Sequence, residues 1–176
     1  MKNRFFRNGI IPAIIAGVLL LVPCSLSGQG SKTNFSGSWV YNAEKSSTGQ
    51  QPGAPGRGGF GGGDFTATQE GNSLTVERAM RTPDGTTNTV TSKYTLDGKE
   101  SVNTTQRGES KSVATWSPDG KKLTIKTTRT LNMGGESRTV NSEEVWTLND
   151  PKTLTIEMTM PSPQGERKMT SVYTKK

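Results

Sequence analysis

From residue 36 to the end of the chain, apolar and polar residues alternate with a period of two. The alternating segments are rich in threonine, valine, isoleucine, tyrosine and tryptophan. This pattern is typical of β-strands that bury one face. Short groups with Gly, Asn, Asp or Pro separate the segments, as at Asp97-Gly98, and such groups favour hairpin turns. The pattern predicts strands at residues 36–42, 64–70, 73–82, 86–96, 99–106, 110–117, 121–131, 137–148, 152–160 and 166–175.

Short turns between these segments predict how the strands pair. Strands that follow one another through a short turn usually lie side by side, which gives an up-and-down antiparallel meander. An open meander of this length would leave two long exposed edges, and closing the sheet removes them. We therefore expect an all-β fold, a meander closing into a barrel of about 8–10 strands.

A short motif recurs three times, as Leu74-Thr75-Val76, Leu123-Thr124-Ile125 and Leu154-Thr155-Ile156. Each copy is followed by a turn and by a strand that ends with an aromatic residue. Two explanations stay open, an internal hairpin repeat and the convergence of any β-meander on such patterns. Both predict the same fold.

The N-terminus has the features of a secretory signal. Lys2, Arg4 and Arg7 precede an apolar stretch from Ile10 to Val22, and small residues follow at Ser25-Leu26-Ser27. A retained membrane anchor is the alternative, but the apolar run is shorter than the roughly 20 residues that span a bilayer. We expect an exported protein, periplasmic or extracellular, with outer-membrane association as a further alternative.

This assignment divides the chain into three parts. They are a signal peptide at 1–27, a short linker at 28–33, and a barrel domain at 34–176 that contains a disordered Gly/Pro-rich loop at 46–63. Removal of residues 1–27 takes away the only cysteine, Cys24, and lowers the net charge from +7 by three basic residues. Lipidation of Cys24 is the alternative fate, although Pro23 is a poor match to lipoprotein signals. In that case the lipid would hold the chain on a membrane.

The chain has no histidine, which excludes Ser-His-Asp triads, Cys-His pairs and histidine zinc sites. No carboxylate pair stands out, because Glu143 and Glu144 point to opposite faces of one strand. We therefore expect no enzyme activity, no metal and no cofactor. The positive charges are scattered singly, which does not suggest a nucleic-acid surface. We expect a monomer.

The segment Phe35-Ser36-Gly37-Ser38-Trp39 resembles the Gly-x-Trp signature that opens the first strand of lipocalins and related fatty-acid-binding proteins. The mature chain also resembles small exported bacterial proteins described as lipocalin-like (calycins). The resemblance implies that Gly37 and Trp39 form the structural motif at the closed end of the barrel. It also implies an interior that holds a small molecule, and a long first loop over the open end. The chain departs from the family in lacking clear second and third lipocalin motifs and a helix after the last strand.

Strand parity predicts the residues that face the interior. Arg78 and Arg129 fall on the same parity as the apolar core, and unpaired charges are not stable in a dry core. We hypothesise that Arg78 and Arg129 hold an anionic head group while Tyr94, Met158 and Met160 line its apolar part. The alternative is that the arginines pair with Glu144 or reach solvent at strand ends.

Two functions follow from these features. One is a carrier or storage barrel for a small apolar or amphipathic molecule. The other is a cell-envelope structural or interaction module whose barrel is filled by its own side chains.

Overall fold

A computed structural model describes residues 31–47, 62–81, 85–105, 108–133, 136–162 and 165–176. The predicted signal peptide, Cys24 and most of the predicted Gly/Pro-rich loop lie outside these residues. The ten strands are β1 (Gly37–Ser47), β2 (Phe65–Glu70), β3 (Ser73–Arg81), β4 (Thr87–Thr95), β5 (Glu100–Thr105), β6 (Gly108–Trp116), β7 (Lys122–Met133), β8 (Glu136–Asp150), β9 (Thr153–Ser162) and β10 (Gly165–Lys175). Within the described ranges, no helix is long and apolar enough to cross a membrane.

All ten strands lie in a single antiparallel sheet with the order β4-β3-β2-β1-β10-β9-β8-β7-β6-β5. The first and last strands pair, with Trp39 opposite Lys175 and Tyr41 opposite Tyr173. This pairing brings β4 and β5 together, and the sheet forms a nearly closed barrel. The predicted all-β meander barrel is therefore confirmed.

One predicted pairing was wrong. β4 and β5 follow one another through a short turn, but no backbone ladder joins them among the described residues. Polar side chains of β5 bridge the two strands instead. The Asn103 side chain accepts a hydrogen bond from Lys93 N at 2.7 Å and donates to Lys93 O at 3.0 Å, and Ser101 Oγ accepts from Thr95 N at 2.8 Å. A seam of side chain–backbone hydrogen bonds thus joins β4 to β5.

The half of the barrel in which β1 begins, called the lower half here, has an apolar interior. The first and third residues of all three Leu-Thr-Val/Ile motifs are buried there, each at most 4% exposed. A cluster of aromatic rings completes this core, formed by Phe35, Trp39, Phe65, Trp146 and Tyr173. The recurring motif therefore places equivalent apolar pairs at one level of the barrel, which accounts for its recurrence in physical terms.

A short irregular segment before β1 closes the lower end of the barrel. Thr33 N donates to Gly120 O at 2.9 Å, which ties the segment to the turn between β6 and β7. Phe35 is fully buried, stacks on Trp116 at 5.8 Å and meets Trp146 edge-on at 5.7 Å. Gln69 fixes the backbone by accepting from Phe35 N and donating to Thr33 O. Phe35 is therefore the central plug of the closed end.

Three turns at this end share the pattern Asp-x-Lys. In each, the aspartate carboxylate accepts a hydrogen bond from the backbone N–H two residues later, which is an Asx turn. The aspartates are Asp97, Asp119 and Asp150, at 3.1, 3.1 and 2.8 Å from the N–H groups of Lys99, Lys121 and Lys152. These bonds explain why the chain reverses at these positions.

Candidate functional site

Above the apolar core, the inner face of the barrel carries charged side chains. They are Arg78, Arg129, Glu144 and Arg167, all half-buried and all on the strand parity that faces inward. The described interior therefore holds three positive groups and one negative group. This excess of positive charge is unusual inside a small barrel, because each buried charge loses its hydration.

Arg78 lies on β3, on the same face as Leu74 and Val76. Its guanidinium carbon is 4.5 Å from the centre of the Phe65 ring, a cation–π distance. Arg78 also donates a hydrogen bond to the Tyr173 hydroxyl, and that hydroxyl has a second partner in Ser171. The lower part of Arg78 therefore packs against the core, while its charge lies at the boundary between the apolar and polar zones.

Glu144 lies on β8, opposite Ile125 on one side and Met158 on the other. Trp146 Nε1 donates to Glu144 Oε2 at 2.9 Å. Since a carboxylate has several acceptor positions, this bond fixes its orientation without using its full hydrogen-bonding capacity.

Three of these charged groups act electrostatically on the phenol of Tyr94. Burial raises the pKa of its phenol above the ordinary value of 10.0, and the Glu144 carboxylate raises it further. The guanidinium groups of Arg78 and Arg129 and a hydrogen bond with Ser92 act in the opposite direction. The structure therefore brings Arg78, Arg129 and Glu144 into the electrostatic surroundings of one phenol, although they come from three different strands.

The two methionines proposed from the sequence lie on β9. Met158 is 6% exposed and faces Met169 across the β9–β10 ladder, while Met160 is half-buried and faces Arg167. They provide an apolar wall on one side of the charged zone.

Gly37 and Trp39 lie at the opposite, closed end of the barrel. Trp39 is 1% exposed, and its Nε1 donates to Phe35 O at 2.9 Å. Lys175 Nζ lies 5.5 Å from the Trp39 ring centre. Gly37 has φ +148°, and a Cβ there would meet the Lys175 side chain. The φ value favours glycine here, because residues with a side chain rarely adopt it, whereas the flexible end of Lys175 could move aside.

The sequence analysis assigned no role to the hydroxyl groups of the interior. Ser110, Ser112 and Ser171 are buried at 8% exposure or less, and Ser112 Oγ is 2.9 Å from Thr127 Oγ1. The signal was present in the strand parity, because these serines share the inward parity of Ala114 on β6 and of Tyr173 on β10. Within the described ranges, the structure contains no group of three or more Asp, Glu, His or Cys side chains placed to hold a metal ion.

The fold matches a solved structure. A crystal structure of zebrafish ileal bile acid-binding protein, complexed with cholic acid, aligns with a TM-score of 0.54 over 81% of this chain and 98% of that chain. The chain has the fold of the fatty-acid-binding-protein barrels. Sequence identity in the alignment is 21%, so the likeness establishes architecture alone. No family model matches the chain, and a comparison with curated proteins finds no match.

Proposed function

We propose that this protein binds a small amphipathic molecule with an acidic group inside its barrel. The observation that carries the proposal is the excess of positive charge on the inner face, three arginines against Glu144, directly above an apolar core. A guanidinium group binds a carboxylate through paired hydrogen bonds. Arg78 and Arg129 would face the acidic group, and Tyr94, Met158 and Met160 would line its apolar part.

The solved barrel of the same fold holds cholic acid, an amphipathic carboxylate, which supports an anionic ligand here. The role is binding, as carrier or store, rather than catalysis. We also propose export, because Lys2, Arg4 and Arg7 precede a short apolar stretch and a small-residue cleavage site. We include in this proposal that the protein is one of the small exported bacterial proteins with a lipocalin-like barrel, which its sequence resembles.

A barrel filled by its own side chains is the competing function, an interaction module without ligand. The contacts of Arg78 with Phe65 and Tyr173 favour it, since they satisfy this arginine without a ligand. Binding experiments separate the two functions directly.

The test is fluorescence titration with anilinonaphthalene sulfonate, an anionic amphipath, followed by displacement with cholate and palmitate. We expect saturable binding, and about tenfold weaker binding in Arg78→Met and in Arg129→Met, since a charge-assisted hydrogen bond contributes about 1.5–3 kcal/mol. Lys126→Met is the matched control, because Lys126 shares β7 with Arg129 but is exposed and pairs with Glu143 at 3.4 Å. Circular dichroism checks that each variant is folded.

Absence of binding by all three compounds would favour the filled-barrel module. Binding that neither arginine substitution weakens would remove the head-group assignment and leave the carrier. Native mass spectrometry of the protein from its own host's envelope fraction adds a test of export. We expect a chain that begins at Gly28 and carries a dissociable small molecule.

A further inference from the structure

The barrel wall is interrupted between two neighbouring strands, β8 and β9. Their backbone ladder runs from Leu148, opposite Leu154, to Glu143, opposite Thr159. Beyond Glu143, β8 continues to Glu136 in its ladder with β7, and β9 continues to Ser162 in its ladder with β10. Beyond this point β8 remains paired with β7, and β9 remains paired with β10, but β8 and β9 are no longer paired with each other.

Proline accounts for the place where the ladder stops. Continuing the register from Glu143 and Thr159 would place Asn141 opposite Pro161. Proline has no backbone N–H and is disfavoured inside a sheet, where it removes a ladder hydrogen bond. The strands diverge at this position although each remains extended.

A cleft of about 300 Å³ occupies the gap, lined by Arg138, Thr139, Val140, Pro161 and Ser162. In β8 and β9, the even-numbered residues face the interior and the odd-numbered ones face outward, as the burial of Trp146, Leu154 and Ile156 shows. Residues of both parities line the cleft. The cleft is therefore bordered by residues of the inner and of the outer face of the sheet.

The even-numbered residues of β8 that border the cleft continue toward the charged zone. On the inner side, Val140 is followed along the same face of β8 by Ser142 and Glu144, and Met160 lies beside Pro161 on β9. Two residues nearer the strand end, Arg138 has the same parity as Val140 and is exposed. A cationic group at an opening attracts anions and raises their rate of arrival. The cleft thus lies beside the charged zone of the candidate site and has an exposed cation at its rim.

We infer that the cleft between β8 and β9 is the entrance through which an anionic amphipath reaches the barrel interior. This inference rests on the proposed function, because it concerns the route to that site. On this inference Arg138 attracts the anion to the entrance, and Val140 and Pro161 form the apolar passage. None of these three residues contributes to holding the bound ligand.

The test bridges the cleft covalently in the Cys24→Ser background. The variant Asn141→Cys/Pro161→Cys places thiols on the two sides of the cleft, and a short bis-maleimide joins them and fills the gap. The matched control, Val145→Cys/Glu157→Cys, joins the same strands where the ladder is intact and the residues face each other. Mass spectrometry confirms bridging, and stopped-flow fluorescence with anilinonaphthalene sulfonate gives the association and dissociation rates.

We expect both rates to fall roughly tenfold or more in the bridged cleft, with little change in the dissociation constant, because an entrance governs rates and not the end states. The bridged control should keep both rates. As a second variant, Arg138→Gln should lower the association rate and weaken its dependence on salt, without requiring a bridge.

Three outcomes are decisive. Unchanged rates in the bridged cleft would overturn the inference while the proposed function stands. Equal slowing in cleft and control variants would also overturn it, since a general stiffening of the wall would then be the cause. A protein that binds none of the anionic compounds of the titration, bridged or not, would overturn the proposed function itself.

Discussion

Phe35 lies outside every strand, yet it is one of the most buried side chains in the molecule. Its ring contacts Trp116 and Trp146, and its backbone carbonyl accepts the Trp39 indole N–H. Phe35 therefore packs the segment before β1 against β6 and β8, which come much later in the chain. The Gly-x-Trp motif therefore functions here together with the phenylalanine two residues before it.

We predict that Phe35→Ala lowers the free energy of unfolding by about 3–5 kcal/mol, the range for removing a large buried aromatic side chain. Urea denaturation measures the change. Val40→Ala is the control, since Val40 is 39% exposed on the neighbouring strand and should change stability by less than about 0.5 kcal/mol. A loss below about 1 kcal/mol for Phe35→Ala would show that the segment does not seal the core.

Two of the three tyrosines, Tyr94 and Tyr173, have pKa values raised above 10.0, chiefly by burial. A raised pKa in the folded state means that this contribution to stability is present below pH 10 and is lost as the pH rises through the folded value. We predict alkaline destabilisation above pH 10. Ultraviolet titration of phenolate absorbance should show two tyrosines ionising late in the folded protein and all three ionising normally in urea.

The same titration tests the charged zone residue by residue. The Arg78 guanidinium lowers the pKa of both phenols. Arg78→Met should therefore shift both late transitions to still higher pH. Lys126→Met, on the outer face, should leave them in place. Identical curves for wild type and Arg78→Met would mean that Arg78 does not face these phenols in solution.

At the scale of elements, the seam between β4 and β5 is a junction that, in the part of the chain that the structure describes, side chains hold in place of a backbone ladder. The Asn103 amide pairs with both backbone groups of Lys93, as a peptide unit of a partner strand would. We predict that Asn103→Ala lowers the free energy of unfolding by about 1–3 kcal/mol, because two hydrogen bonds of about 0.5–1.5 kcal/mol each are lost. Amide hydrogen exchange should accelerate most at Lys93.

Thr104→Ala is the control for the seam, because Thr104 is its neighbour on β5 and is exposed. It should leave exchange at Lys93 unchanged. Equal effects of the two substitutions would show that the seam is held by something other than Asn103.

Element by element, the period-two pattern and the Asp-Gly turns predicted every strand to within a few residues, because alternation and turn chemistry are local properties. The same parity predicted that Arg78 and Arg129 face inward. The seam, the Phe35 plug and the cleft at Pro161 were not predictable in this way. Each depends on where a ladder between distant residues ends, and a single strand's sequence does not record its partner's register.

At the scale of the whole molecule, folding depends on the turns that reverse the chain at the closed end. Three of them use an aspartate whose pKa lies below the ordinary 3.8. The main cause is a hydrogen bond from the Lys99 side chain for Asp97, one from the Ser117 hydroxyl for Asp119, and one from the Lys152 backbone N–H for Asp150. The ionised carboxylate is thus favoured by the folded state in all three.

The sign of the resulting pH dependence follows directly. A lowered pKa in the folded state stabilises the protein above the unfolded value, and this stabilisation is lost as the pH falls through the folded value. We predict that the urea midpoint is steady near neutrality and falls below about pH 4, where unfolded aspartates begin to take up protons first.

The triple variant Asp97→Asn/Asp119→Asn/Asp150→Asn keeps an acceptor oxygen in each turn but removes the charge, so its midpoint should fall less steeply below that pH. The corresponding triple alanine variant loses the acceptors too and should be less stable at every pH, which separates turn geometry from charge. If the asparagine variant follows the acid profile of the wild type, the carboxylates of the three turns are not the source of that profile.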